Sequence, residues 1–188
     1  TWPSATREEL GDEASLESLP IDHSVPVVEN RRGGSRAANA VLEAFLDDKL
    51  ERYGTRRSHP QDDAESNLSP YLHFGHISAH QVFSELMERE NWTPSSLNDY
   101  QKGSREGWWN VGENAESFLD ELVTWRELGF QTCIHREDYD QYESLPGWAR
   151  ETLEDHWNDP REHTYSLEQF EHAQTHDDLW NAAQMQLV

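Results

Sequence analysis

Between residues 35 and 54 the apolar side chains Val41, Leu42, Phe45, Leu46 and Leu50 recur at the spacing that puts them on one face of a helix. The same period returns at Val82, Phe83, Leu86 and Met87, and again at Phe118, Leu119, Leu122, Val123 and Leu128. No stretch alternates apolar and polar residues as a half-buried strand does, and no segment repeats another. The fold class expected is therefore all-α.

Punctuation residues divide this pattern. Ser35 can cap the first helix, which should end near Tyr53-Gly54. Pro60 and the Asp62-Asp63 pair mark a loop, after which Leu68, Tyr71, Leu72 and Phe74 make a short helical turn closed by Gly75. Ser78 then caps the next helix. Residues 90–114, with Pro94, Gly103, Gly107 and Gly112, form a long connection of the kind that is often functional. A helix over Ala115 to Gln131 follows, and another starts near Pro146 and carries Trp148, Leu153 and Trp157. Ser166-Leu167-Glu168-Gln169 is a capping box, and a last helix follows Thr175. Upstream, Pro3, Pro20, Pro26 and Arg31-Arg32-Gly33-Gly34 break any helical pattern, so residues 1–34 read as a linker or extended arm and residues 35–188 as the helical domain.

A formal net charge of -22 and a mean hydropathy of -0.96 would ordinarily suggest disorder. Eight Trp, six Tyr and six Phe spread along the chain argue for a folded, strongly acidic domain, because rings of that size bury large areas. Only Lys49 and Lys102 are lysines. An acidic, lysine-poor surface suits a protein adapted to concentrated salt, an ordinary acidic protein being the alternative. Composition alone argues against a nucleic-acid partner, since phosphate binding needs local Lys and Arg. The single cysteine, Cys133, excludes an intrachain disulfide and fits a reducing cytoplasm; it is expected as a small buried hydrophobe. No membrane-spanning stretch or signal peptide is visible. Thr1 in place of Met, and a last helix that stops without a cap, lead to an expectation of neighbouring sequence on both sides.

Several motifs carry nothing. There is no dinucleotide-binding or P-loop glycine pattern. His172 and His176 have i, i+4 spacing, but Thr175 should start a helix between them, so they read as solvated and no metal site is expected. Paired carboxylates such as Asp120-Glu121 are too common in so acidic a chain to signal acid–base catalysis.

The informative stretch is Ser66-Asn67-Leu68-Ser69-Pro70-Tyr71-Leu72-His73-Phe74-Gly75-His76-Ile77-Ser78. It offers small hydroxyls and backbone amides before a helical turn, an arrangement suited to phosphate oxygens, although a plain helix cap would look the same. The string resembles the segment that wraps the flavin phosphates in the photolyase and cryptochrome family. Phe118-Leu119-Asp120-Glu121-Leu122-Val123-Thr124-Trp125-Arg126-Glu127-Leu128 is similar to that family's helix between flavin and substrate. Leu145-Pro146-Gly147-Trp148-Ala149-Arg150-Glu151-Thr152-Leu153 and Thr175-His176-Asp177-Asp178-Leu179-Trp180-Asn181-Ala182-Ala183-Gln184 follow in the order of its class II branch, which repairs cyclobutane pyrimidine dimers. The resemblance runs over nearly the whole chain, from Ile21-Asp22-His23-Ser24-Val25 onward.

That resemblance implies the first half of a helical FAD-binding domain. By similarity, Tyr53, Ser66, Asn67, Leu68 and Ser69 contact FAD, and Arg126 lies near the flavin as a lasting cation. Arg57 matches a position that contacts DNA phosphate. Glu121 hydrogen-bonds to a flipped-out pyrimidine and Trp125, four residues on, packs against it, as the helical spacing allows. Trp180 matches a member of the tryptophan chain that passes electrons to the flavin. A structural ion pair for Arg126 and a core position for Trp125 or Trp180 are the plainer alternatives. The implied activity is light-driven repair, in which excited reduced FAD donates an electron to the dimer and recovers it after ring opening. The partner is damaged DNA, and the complete protein is expected to be a monomer with an antenna domain before this segment and the rest of the FAD-binding domain after it. This chain alone is expected to hold too little of the pocket to work. A flavin photoreceptor without repair activity, or an inactive helical module, are the alternatives.

Overall fold

The computed structural model describes residues 19–20, 22–24, 28–98 and 106–187. Much of the arm expected over residues 1–34 lies outside them. The chain divides into two compact units, Thr1–Gly129 and Phe130–Val188, and each is taken by itself. Every regular element among the described residues is helical, in line with the all-α expectation.

The first helical run, expected to end near Tyr53-Gly54, changes pitch from Phe45 onward and continues to Arg56. Helix α1 spans Ser35–Ala44, a π turn covers Phe45–Lys49, a 3-10 turn covers Leu50–Arg52, and α2 spans Tyr53–Arg56. The amide of Leu50 reaches the Phe45 carbonyl, that of Tyr53 reaches Leu50, and that of Arg57 reaches Tyr53. Leu42, Phe45, Leu46, Leu50 and Tyr53 all remain buried through these changes. The rings of Phe45, Tyr53 and Phe118 form a triangle with centroid separations of 5.6, 4.7 and 5.4 Å, tilted or edge-on as ring quadrupoles favour. Ser35 does not cap α1. Gly34 occupies that position with φ 94°, and its amide donates to His76 Nδ1 at 3.2 Å. A Cβ on Gly33 would meet His76 Cε1 at 3.0 Å, so the glycine pair lets the chain pass close to the imidazole.

Helix α3, Ser69–His73, closes at Gly75 with φ 67°, and Ser78 caps α4, Ala79–Arg89, by accepting from the Gln81 amide. The described parts of the long connection pack back on the core through polar links. Trp92 Nε1 donates to the Trp109 carbonyl at 2.8 Å, the Gly107 amide to Glu116 at 2.8 Å, and the Gly112 amide to Glu90 at 2.9 Å. Helix α5, Glu113–Leu119, then runs through a π turn, Asp120–Trp125, into α6, Arg126–His135. The buried face ends at Leu122. Leu128, expected on that face, is 52% exposed, and Cys133, expected to be buried, is exposed as well. Both follow from α6 carrying no buried residue, as the periodic pattern of α5 does not continue along it.

The second unit contains α7, Gly147–Asp155, α8, Leu167–Glu171, and α9, Asp178–Leu187, none of which has a fully buried side chain. Pro146 stands at the start of α7, and the Ser166/Gln169 capping box forms as expected. Trp148 and Trp157, which the aromatic argument would bury, are 72% and 80% exposed. Local polar contacts hold the unit. Asn181 receives the Thr175 hydroxyl at 2.8 Å and returns a bond to the Thr175 carbonyl at 2.8 Å. His176 is exposed but engaged: its ring stacks on His163 at 3.8 Å and hydrogen-bonds to the Tyr165 hydroxyl.

Candidate functional site

Three of the residues singled out from the sequence meet in one place. Tyr53 is anchored by its ring in the aromatic triangle and is 7% exposed. One turn later Arg57 lays its guanidinium 5.5 Å from the Tyr53 ring centroid and reaches Glu121, Nη1 to Oε1, at 2.5 Å. Glu121 is brought there because α5 packs Phe118 onto Tyr53 and the π turn then carries Glu121 outward past buried Leu122. Burial pushes the Tyr53 phenol above its ordinary range, with the hydrogen bond from Arg57 acting against that shift. The Tyr53 phenol and the Glu121 carboxylate in turn hold Arg57 still more firmly in its cationic form.

The pitch change before Tyr53 frees two backbone groups, and Asn114 takes both. Its Nδ2 donates to the Glu51 carbonyl at 2.6 Å and its Oδ1 accepts from the Gly54 amide at 2.8 Å. Asn114 therefore ties the start of α5 to the segment that presents Tyr53 and Arg57. Sequence reading missed it. Its position early in a helix hides a partner more than fifty residues away.

Trp125 closes the π turn that begins one residue before Glu121, and it is 54% exposed. A π turn is wider than an α turn, so residues four apart stay close to one side. Arg126 follows at the head of α6, paired with Glu127 at 2.9 Å. Both line an open cleft of about 200 Å³ with His80, Phe83, Trp109 and Val123.

A second cluster forms around the serine-rich turn. Ser66 Oγ accepts from the Leu68 amide at 3.4 Å, Asn67 takes a left-handed φ of 57°, and Leu68 is buried, which leaves Ser69 exposed at the head of α3. Arg31 Nη2 donates to Asn67 Oδ1 at 3.2 Å, bringing a guanidinium to this turn from a distant part of the chain. The donor set of two serine hydroxyls, an amide and a guanidinium fits a phosphate-bearing group such as the pyrophosphate of FAD. In the sequence Arg31 reads only as part of a helix-breaking run. A cation beside two glycines was the available signal.

Trp180 lies in the second unit, near the start of α9. It is 38% exposed, stands edge-on to Phe170 at 5.1 Å, and its amide donates to the Asp177 carboxylate at 2.9 Å. Among the described residues no group of three or more His, Cys, Asp or Glu side chains could hold a metal ion.

No family model matches the chain. Individual proteins do. It is 36% identical over 170 residues to a deoxyribodipyrimidine photo-lyase of Potorous tridactylus, covering 90% of this chain and 29% of that protein. It is 38% identical over 170 residues to one of Oryza sativa subsp. japonica, with 88% and 30% covered, and 37% identical over 194 residues to one of Arabidopsis thaliana, with 100% and 36% covered. The helical layout of the described residues, with no strand among them, is consistent with the helical domain of a photolyase. The chain belongs to the deoxyribodipyrimidine photo-lyase family and spans about a third of the length of the curated relatives it matches.

Proposed function

We propose that the protein containing this chain is a class II deoxyribodipyrimidine photolyase, a FAD-dependent lyase that splits cyclobutane pyrimidine dimers in DNA under light. The observation that carries this reading is the meeting of Tyr53, Arg57 and Glu121 beside exposed Trp125, in a chain similar to photolyases over nine-tenths of its length. When bound, the flavin supplies the light-driven electron transfer on which ring opening depends.

The residues of the chain supply recognition and position. Ser66, Asn67, Leu68 and Ser69, with Arg31, hold the phosphate side of the cofactor. Tyr53 supports the same pocket through its buried ring, and Arg126 keeps a cation at the cleft near the flavin. Glu121 accepts N–H groups from the edge of an extruded pyrimidine, Trp125 offers its indole face to the lesion, and Arg57 meets a DNA phosphate. Trp180 serves the electron route to the flavin.

Among the described residues no helix is long and apolar enough to cross a membrane. A single thiol in the chain supports a reducing, cytoplasmic setting. The complete protein in this reading adds an antenna domain and a further part of the FAD-binding domain and acts as a monomer; of these, the additional sequence is supported by the chain covering only about a third of its relatives.

The test is blue-light irradiation of an oligonucleotide containing one thymine dimer with the complete, flavin-reduced protein. Restoration of the two thymines is expected. Flavin photoreduction without dimer splitting would overturn repair in favour of a photoreceptor.

A further inference from the structure

Arg57 and Glu121 are assigned above to different parts of one ligand, yet here they are bound to each other. A guanidinium paired with a carboxylate offers DNA a dipole in place of a charge. In a chain of net charge -22 each cation on a DNA-facing surface counts, so neutralising Arg57 matters for the affinity of this face. The carboxylate is engaged as well, because its Oε1 accepts from Arg57 and the pair fixes how the group is turned.

We infer that the Arg57–Glu121 pair is a latch that withholds both groups from undamaged DNA and is opened by a lesion. This rests on the photolyase reading. An intact duplex brings a phosphate towards Arg57 but keeps its bases stacked, so Glu121 gains nothing on release and the pair stays closed. An extruded dimer presents N–H groups to Glu121 while its phosphate reaches Arg57, and two outward contacts replace the inward one together.

The geometry suits such an exchange. The two side chains are 34% and 41% exposed, so a ligand can reach both, and partly exposed pairs contribute little stability and open readily. Arg57 does not lose its place when Glu121 departs. Its backbone amide is tied to the Tyr53 carbonyl at 3.0 Å, and its guanidinium keeps the Tyr53 ring as a partner at 5.5 Å. Glu121 is likewise carried on a helical turn whose next residue, Leu122, is buried. Both arms can swing while their roots stay fixed.

The experiment measures dark binding of the complete, flavin-loaded protein to one duplex, undamaged or carrying a single thymine dimer. It compares the unaltered protein with Glu121→Gln, Arg57→Gln and the double variant. Glu121→Gln should bind undamaged duplex several-fold more tightly, with a steeper salt dependence because one more cation is engaged. The double variant should fall back to the affinity of Arg57→Gln. Glu121→Asp keeps the charge on a shorter arm and should move undamaged binding the same way, which provides a second route if the glutamine variant folds poorly. Unchanged or weaker undamaged binding in both Glu121 variants, with the dimer preference of the unaltered protein intact, overturns the latch and leaves the photolyase reading standing. Absence of any dimer preference in the unaltered protein overturns that reading and the latch with it.

Discussion

Asn114 and Gly54 are locked together at the pitch change between α1 and α2: the Gly54 amide donates to Asn114 Oδ1 at 2.8 Å, and a Cβ at position 54 would sit 2.9 Å from the same oxygen. The asparagine stands in for the backbone partners that a uniform helix would have provided, while its amide nitrogen serves the Glu51 carbonyl. Replacing Asn114 with Ala strands both groups. The expected loss is about 2 kcal/mol, from two hydrogen bonds and the incomplete resatisfaction of their partners. Urea unfolding of the variant checks it, and Gly54→Ala should be destabilising through the same contact.

Tyr53 predicts a response to alkali. Burial raises its phenol above the ordinary 10.0, so the native state binds its proton more tightly than the unfolded state does. The corresponding stability is fully present below the unfolded value and is lost as pH rises through the folded one. Unfolding curves recorded between about pH 9 and about pH 11 should show a decline that is smaller in Tyr53→Phe. An identical decline in the two proteins would assign it to other groups.

Arg31 should matter to the cofactor. Its guanidinium reaches the turn through Asn67, and a charge-assisted bond to phosphate is worth about 1.5–3 kcal/mol. Arg31→Ala in the complete protein should therefore weaken FAD binding by roughly tenfold or more. Flavin fluorescence during titration into the flavin-free protein gives the affinity directly, without reference to repair.

Trp125 is 54% exposed, so its removal leaves little cavity and folding should be nearly unaffected. Stacking of a base on an aromatic side chain is worth about 1–3 kcal/mol. Trp125→Ala should then reduce affinity for dimer-containing DNA by roughly tenfold while leaving undamaged duplex binding almost unchanged. Gel-shift titration with the two duplexes separates these effects.

How much of this was legible beforehand depends on the range of the interactions. The faces of α4 and α5 were readable because helical periodicity is local, and the caps at Ser78 and Ser166 were readable because they act over three residues. Ser35 misled because the cap was decided by His76, forty-two residues from Gly34. Apolar composition at Leu128 and Cys133 suggested burial, but α6 buries no side chain in this chain. Tyr53, Arg57, Glu121 and the serine turn were each recognisable by resemblance. Their mutual arrangement was not: a helical spacing places Arg57 one turn from Tyr53, but only packing of α5 on α2 brings Glu121 to it, and only a long-range contact brings Arg31 to Asn67.

The chain has one thiol, and Cys133 is exposed on α6. That makes it a natural attachment point for a maleimide dye, with no competing cysteine in the chain to remove first. A fluorophore there would report from one known position on α6. Comparing labelling rates of the isolated chain and the complete protein would footprint how far the remainder of the molecule shields that helix.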